Sequence, residues 1–274
     1  NLMEAIKTKT QAELRQEAER YMPGGVGGAG RINSALGYAF YIKEAKGCRL
    51  WDTDGKEYID FNLGHGSALL GYQHPATQAA AEKALAMSRY YEDARALAKK
   101  LTHWSKDLNG GDDRRFVVCT GGGPGIMEAA NRGASEAKGL NIGLNISIPH
   151  EQHDNPYITR HLSFEFHYFF MRKFWFAYMA KAIIVFPGGF GTLDELFEVV
   201  TLMQTGKLTR PIKIVLYGAD YWQKVVNFEA LAEFGTINKA DIELMTVTDS
   251  VDEAFENITN YLAGGALHEP GGAL

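Results

Sequence analysis

Two stretches of the chain decide the fold: Phe116-Val-Val-Cys-Thr120 followed by Gly121-Gly-Gly-Pro-Gly-Ile-Met-Glu128, and Ala182-Ile-Ile-Val-Phe186 followed by Pro187-Gly-Gly-Phe-Gly-Thr-Leu-Asp-Glu195. Each is an apolar run typical of a strand, then a glycine-rich turn and a helix start. In an open α/β sheet, the loops at the carboxyl ends of parallel strands line the ligand crevice. Glycines there let backbone N–H groups approach a phosphate, and the next helix directs its positive end towards it. The pattern predicts a phosphorylated, nucleotide-like ligand.

Strand-like and helix-like segments alternate from residue 89 to residue 262. Strands are predicted at residues 115–120, 141–148, 163–168, 182–186, 212–217 and 243–248. Helices are predicted at residues 91–108, 124–138, 171–181, 192–204, 221–234 and 252–262. The alternation predicts an α/β fold, with a Rossmann-like, doubly wound, mainly parallel sheet over residues 89–262. Residues 263–274 contain four glycines and are expected to form a flexible tail.

Residues 1–88 follow a different pattern. Short strands are predicted at residues 40–43, 49–52 and 57–61, joined by Lys46-Gly47 and Asp54-Gly55. An Asp-Gly pair between short strands is a strong hairpin signal. We therefore predict an N-terminal segment made of a helix plus an antiparallel meander, and a domain boundary near residues 87–89.

The composition excludes several classes of partner. The net charge of -5 argues against nucleic acid, which usually requires a basic face. The two cysteines, Cys48 and Cys119, cannot form a disulfide framework, and Cys119 is expected in a buried strand. The start of the chain is polar, and no apolar run approaches the length of a membrane span. These features predict a cytoplasmic protein that binds no membrane.

The motifs of the C-terminal part resemble those of the LONELY GUY (LOG) family, whose members are often labelled lysine-decarboxylase-like. Both glycine loops and Met171-Arg172-Lys173 occur in the family's order and spacing, and the resemblance covers residues 89–262. It implies a phosphoribohydrolase that cleaves the N-glycosidic bond of a nucleoside 5′-monophosphate such as AMP or N6-modified AMP. Free base and ribose 5-phosphate would be released without any cofactor. A broader purine and pyrimidine nucleotide nucleosidase, or a nucleotide-binding protein without activity, would share these motifs.

The N-terminal part resembles class III pyridoxal-phosphate aminotransferases near the glutamate-1-semialdehyde type. The resemblance is carried by Tyr21-Met-Pro-Gly-Gly-Val26, Gly47-Cys-Arg-Leu-Trp-Asp-Thr-Asp-Gly-Lys-Glu-Tyr-Ile-Asp60 and Leu70-Gly-Tyr-Gln-His-Pro75, and it is expected to end by residue 86. Without the large domain that holds the Schiff-base lysine, no aminotransferase activity is inferred. LOG-like proteins normally open with a strand and a Gly-Ser phosphate loop. Here residues 58–63, followed by Gly64-His-Gly-Ser67, are the candidate replacement.

Glu195 is the first candidate catalytic residue. A carboxylate near the anomeric carbon stabilises the positive charge that develops on a sugar as its glycosidic bond breaks. The alternative is a capping box, in which Thr192 and Glu195 satisfy N–H groups at the helix start. Spacing alone favours the capping box, whereas the glycine loop and the LOG resemblance favour catalysis. Asp194 and Glu198 are expected to complement the helix dipole or face solvent.

Arg172 is the second candidate catalytic residue, a role that the LOG resemblance assigns to it. Arginine offers a planar, permanently charged fork to a phosphate or a departing base. The alternative is a surface arginine paired with a carboxylate. Lys173 is a weaker candidate for substrate contact.

The predicted phosphate site combines both glycine loops. Glu128, in the first turn of its helix, would bind ribose or base, or would simply complement the helix dipole. Glycines also serve tight turns, so one such loop alone is a weak signal. The predicted substrate-binding and phosphate-binding residues are Gly122, Gly123, Glu128, Lys173, Gly188, Gly189, Gly191 and Thr192.

Histidines and aromatic residues cluster between the two loops. His150 and His153 invite a metal interpretation, but they lie in a proline-interrupted stretch without regular ligand spacing, so no metal site is predicted. The aromatic residues are expected in the core or at a subunit interface. LOG-like proteins form dimers, and we expect a homodimer that uses the apolar helix near residue 171. These aromatic residues are Phe164, Phe166, Tyr168, Phe169, Phe170, Phe174, Trp175, Phe176 and Tyr178.

Overall fold

The computed structural model describes residues 9–21, 32–33, 38–39, 41–61, 68–108, 115–147, 155–208, 210 and 212–265. The chain divides into two compact units, Asn1–Ala86 and Met87–Leu274. Among the described residues, no helix combines the length and apolar character needed to cross a lipid bilayer.

The described residues of the N-terminal unit form a helix near its start and antiparallel strands, as predicted. Helix α1 begins at a capping box in which Thr10 and Glu13 bond reciprocally to each other's backbone. Strands β3, β4 and β5 form an antiparallel sheet in that order, and Gly47 and Gly55 adopt positive φ angles in its turns. The elements are α1 (Gln11–Glu19), β1 (Ile32–Asn33), β2 (Tyr38–Ala39), β3 (Ile42–Lys46), β4 (Arg49–Asp52) and β5 (Glu57–Ile59).

The described part of the C-terminal unit contains six parallel strands alternating with helices, which confirms the predicted α/β class. Its strands are β6 (Val118–Thr120), β7 (Asn141–Ile146), β8 (Ser163–Phe166), β9 (Ala182–Val185), β10 (Lys213–Tyr217) and β11 (Met245–Thr248). Its helices are α3 (Ile126–Glu136), α4 (Phe169–Met179), α5 (Phe190–Gln204), α6 (Ala219–Val225), α7 (Phe228–Glu233), α8 (Lys239–Ile242) and α9 (Val251–Gly264), and α2 (Pro75–Leu108) contains the boundary between the units.

The parallel strands form two sheets of three rather than one continuous sheet. Their orders are β6-β7-β8 and β11-β10-β9, with every pair parallel. Strand β6 is therefore an edge strand, and Cys119 on it is exposed, contrary to the expectation of burial. Residues 58–63 were predicted to replace the first strand of a LOG-like sheet. This prediction is wrong for Tyr58 and Ile59, because they belong to β5, which pairs with β4 in the antiparallel sheet. Residues 62–67 lie outside the described part.

Two helix predictions were wrong, and one helix was not predicted. Helix α2 begins at Pro75 instead of residue 91. The single helix expected at residues 221–234 is two helices, because Val226 is extended and the Asn227 side chain accepts the Ala230 N–H to start α7. Helix α8 was not predicted and begins at a capping box of Asn238 and Asp241. Residues 266–274 of the predicted tail lie outside the described range.

The second sheet lies in the apolar core of the unit. Strand β10 is almost completely buried, with Ile214, Val215 and Leu216 at 0% exposure. One cluster packs side chains of α4 and α5 against β9 and β10, and another packs α2 and α9 against β10. Phe116 and Ile126, which flank β6, also pack against the second cluster. This core fixes the strands whose carboxyl ends carry the glycine loops.

Helices α2 and α3 approach closely at Gly133. A Cβ atom on Gly133 would lie 2.0 Å from the carbonyl oxygen of Arg95. We expect Gly133→Ala to lower the free energy of unfolding by about 1–3 kcal/mol, the usual cost of overpacking a core. Urea unfolding followed by circular dichroism measures this change. Gly264→Ala is the control, because a Cβ there meets no atom within 4 Å, and equal stabilities for both variants would contradict the prediction.

Candidate functional site

Helix α5 begins directly in the second glycine loop. Its N-cap residue is Gly189, and no side chain bonds to the N-cap position. Because the helix starts at Phe190 rather than Thr192, Glu195 lies beyond the free N–H groups of the first turn. The capping-box interpretation of Thr192 and Glu195 is therefore wrong.

The Glu195 carboxylate instead accepts a hydrogen bond from Arg172. The Arg172 Nη2 to Glu195 Oε1 distance is 3.0 Å. The Arg172 side chain is 12% exposed, and its guanidinium carbon lies 5.5 Å from the centre of the Phe169 ring and 5.7 Å from that of Phe176. Its Nε is buried and has no hydrogen-bond partner among the described residues. Arg172 is thus a largely buried cation paired with one carboxylate.

Burial and the neighbouring charges have opposing effects on the pKa of the Glu195 carboxyl. Burial raises the pKa of the Glu195 carboxyl, the positive charge of Arg172 lowers it, and the nearby Asp194 raises it again. The balance leaves the pKa of Glu195 above its ordinary value. Arg172 is therefore the main group that favours the ionised form of Glu195 in this partly buried position.

The first glycine loop lies close to the same pair. A Cβ atom on Gly121 would stand 3.4 Å from Arg172 Nη1. On the preceding strand, burial and the negative charge of Glu195 raise the pKa of the Cys119 thiol to about 12, although the residue as a whole keeps exposed surface. Arg172 thus links Glu195 on α5 to the first glycine loop.

Individual glycines in the loops have different roles. Gly122 has a φ of 75°, and its N–H donates to Thr120 Oγ1 at 3.0 Å. A Cβ on Gly122 would lie 1.8 Å from Asn145 Oδ1, and one on Gly188 would lie 2.2 Å from Thr192 Oγ1. A Cβ at Gly189 or Gly191 would meet no atom within 4 Å.

Lys173 bridges two further carboxylates on α5. Its Nζ lies 3.0 Å from Asp194 Oδ1 and 2.8 Å from Glu198 Oε2. The hydrogen bond to Glu198, followed by that to Asp194, outweighs the effect of burial and raises the pKa of the Lys173 ammonium. Asp194 and Glu198, which were expected to face solvent or complement the helix dipole, are thus the partners of Lys173.

Glu128 lies on α3 and is held by a residue of α2. Its Oε1 accepts a hydrogen bond from the Tyr91 hydroxyl at 2.9 Å, and Arg132 Nη1 lies 3.5 Å from the same hydroxyl. In the sequence, Tyr91 is only the first residue of a predicted amphipathic helix, and its bond to Glu128 cannot be read from that pattern. Thr120 was missed as well, although a polar residue that ends an apolar strand is a usable signal.

No metal site is found in the part of the chain that the structure describes. No group of three or more His, Cys, Asp or Glu side chains gathers there at metal-binding distance. His161 and His167 are exposed, while His150 and His153 fall outside the described ranges.

Helix α4 and strand β8 expose an unusual number of large apolar side chains. Extended apolar patches of this kind mark interaction surfaces. The aromatic patch is defined here as Phe164, Tyr168, Phe169, Phe170, Phe174 and Trp175, which are 39% to 66% exposed.

Two family models match the chain. Residues 127–258 match the family described as possible lysine decarboxylase, and residues 33–138 match class III aminotransferases. The double resemblance predicted from the motifs is confirmed. The aminotransferase match extends to residue 138, beyond the expected end at residue 86.

The curated relatives resemble the N-terminal part of the chain. A glutamate-1-semialdehyde 2,1-aminomutase of Syntrophobacter fumaroxidans is 40% identical over 79 residues, which are 28% of this chain and 18% of that protein. One from Sulfurihydrogenibium sp. is 46% identical over 70 residues, 25% of this chain and 16% of that protein. The chain thus spans less than a fifth of the length of these relatives.

Among solved structures, the molybdenum cofactor carrier protein of Chlamydomonas reinhardtii is similar at a TM-score of 0.42 and 19% identity. The match covers 64% of this chain and 89% of that protein. At this TM-score the likeness carries no argument about a ligand.

The aminotransferase match implies pyridoxal phosphate, but the described residues do not fit that cofactor. Its Schiff base needs a lysine inside a cofactor pocket. The lysines described between residues 41 and 138 are exposed except Lys106, whose Nζ donates to the carbonyls of Ala137 and Lys138. No step of a reaction is therefore derived through this cofactor.

Proposed function

We propose that the C-terminal unit hydrolyses the N-glycosidic bond of a nucleoside 5′-monophosphate in the cytoplasm. The observation that carries the proposal is the Glu195 carboxylate, paired with Arg172 beside the first glycine loop. The match of residues 127–258 to the possible lysine decarboxylase family supports it, since the LOG resemblance implies this reaction.

In the proposed reaction, the bond between C1′ and the base nitrogen breaks and the base leaves with the electron pair. Positive charge then develops on the ribose, and ionised Glu195 stabilises it from close by. The oxygen of a water molecule bonds to C1′, and its proton ends on the base. The products are free base and ribose 5-phosphate. Arg172 supports the reaction because it favours the ionised form of Glu195.

The second glycine loop would hold the phosphate. Gly188, Gly189 and Gly191 surround the start of α5, a helix of 15 residues whose N-terminal N–H groups favour an anion. Thr192 in the first turn of α5 would add a hydroxyl. Lys173 on α4, whose ammonium is paired with Asp194 and Glu198, remains the weaker candidate for substrate contact.

The first glycine loop and Glu128 would complete the site. The N–H of Gly122 is already bonded to Thr120, so Gly122 contributes its backbone conformation, and Gly123 is the candidate for direct contact. Glu128, oriented by Tyr91, would accept hydrogen bonds from ribose hydroxyls.

Release of free base is the direct test of the proposed function. The full chain is incubated with AMP and, separately, with N6-isopentenyl-AMP, and chromatography follows the free base. CMP and UMP in parallel reactions report how strictly the base is selected. Release of base from at least one nucleotide is expected. Nucleotide binding without release would contradict the proposed hydrolysis.

We further propose that the aromatic patch joins two copies of the chain. Phe170 in this patch is 66% exposed, and burying such aromatic side chains contributes strongly to subunit association. Phe170→Arg is expected to convert a dimer into a monomer, measured by light scattering after size-exclusion chromatography. Phe234→Arg is the control, because Phe234 is 85% exposed outside the patch. A monomeric parent protein, or an unchanged dimer in Phe170→Arg, would contradict this proposal.

A further inference from the structure

A saturated polar cluster lies in the core beneath the first glycine loop. Asn131 on α3 is 0% exposed, and Asn141 at the start of β7 is 1% exposed. The other buried residues of α3 are Ala129, Gly133 and Ala134. Burying an amide among such residues is costly unless all its polar atoms are bonded.

Every hydrogen-bonding position of the Asn131 amide is used. Its Nδ2 donates to Asn141 Oδ1 at 2.9 Å and to the Ile142 carbonyl at 3.3 Å. Its Oδ1 accepts from Thr120 Oγ1 at 2.6 Å and from Asn155 Nδ2 at 3.0 Å. A side-chain amide has two donor protons and two acceptor lone pairs, so Asn131 is fully satisfied and held in one orientation.

Thr120 connects this amide to the glycine loop. A hydroxyl has one proton, and Thr120 donates it to Asn131. Its lone pairs are thereby left to accept the Gly122 N–H at 3.0 Å. This bond holds Gly122, whose φ is 75°, in the conformation that turns the chain from β6 towards α3. Without Asn131, the Thr120 hydroxyl would be free to rotate and to offer its proton elsewhere.

We propose that Asn131 is a positioning residue that acts through Thr120 to fix the first glycine loop for nucleotide binding. The inference rests on the proposed function, because it assigns this loop to the substrate. Asn131 is fully buried and offers no surface to a ligand. A loop already fixed before binding loses less conformational entropy when the ligand arrives, so the effect is expected in affinity.

The test removes the Thr120 hydroxyl while leaving Asn131 in place. Thr120→Val is expected to raise both the KM for AMP and the Kd of AMP measured by calorimetry about 3- to 10-fold, as expected for one lost hydrogen bond. The kcat should change less than the KM. Thr120→Ser keeps the hydroxyl and should restore the parental KM. Asn131→Leu should raise the KM at least as much as Thr120→Val does.

Thr102→Val is the matched control, because the buried Thr102 hydroxyl donates to the Ala98 carbonyl within α2. A purely structural role would give Thr120→Val and Thr102→Val the same KM, and that result would overturn the inference. AMP that binds the parent protein without being cleaved would contradict the hydrolysis alone. In that case, the Kd values of AMP for Thr120→Val and Thr102→Val would still test whether Asn131 acts through Thr120 to fix the loop. Absence of AMP binding to the parent protein would overturn both.

Discussion

Glu195→Gln is expected to lower kcat for base release by about 100-fold or more, the scale for losing one preorganised electrostatic stabiliser of a transition state. Glutamine keeps the size of the side chain and still offers an oxygen to Arg172. It removes the negative charge that the developing ribosyl cation requires. The measurement is the initial rate of base release at saturating AMP, and the KM is expected to change much less than kcat.

Glu198→Gln is the matched control for this variant. Glu198 lies on the same helix and is paired with Lys173 at 2.8 Å. If Glu195 acted only by adding to the total negative charge of α5, both variants would lose activity to a similar extent. The proposed mechanism requires a much larger loss for Glu195→Gln. Equal kcat values for Glu195→Gln and the parent protein would exclude a catalytic role for Glu195.

The sequence predicted the parallel strands and the loops at their ends, because both depend on local patterns. The apolar run of residues 182–186 and the glycines after it are found as strand β9 and the start of α5. The strand pairing was harder to predict. Each strand of a doubly wound sheet pairs with strands from distant parts of the chain. The residues of β6 alone therefore do not indicate that it lies at the edge of its sheet.

The pairing of Glu195 with Arg172 could not be predicted from the sequence either. Thr192 and Glu195 have the spacing of a capping box, but the helix begins at Phe190, two residues before Thr192. The carboxylate is thereby carried past the first turn and towards Arg172 on another helix. Asn131 was missed for a related reason. Its four bonds reach strands β6 and β7 and Asn155 outside any helix or strand, and helical spacing gives no sign of them.

Arg172→Leu is expected to lower base release by about 10- to 100-fold near neutral pH, the range for losing a hydrogen bond to a charged group. Leucine fills part of the space between Phe169 and Phe176 without supplying charge. The ionised Glu195 would then lack the cation that opposes the effect of burial. Arg172→Lys keeps the charge but not the planar fork, so an intermediate rate is expected.

The pH dependence separates this role of Arg172 from a simple loss of substrate binding. Loss of Arg172 raises the pKa of Glu195 further, so the ionised form is reached only at higher pH. In the rate profile of Arg172→Leu, the acid limb should therefore move to higher pH, and activity should recover partly as the pH increases. Arg95→Leu removes an arginine that is paired with Glu136 instead, and it should keep the parental profile. An Arg172→Leu profile with an unshifted acid limb would show that Arg172 does not control the ionisation of Glu195.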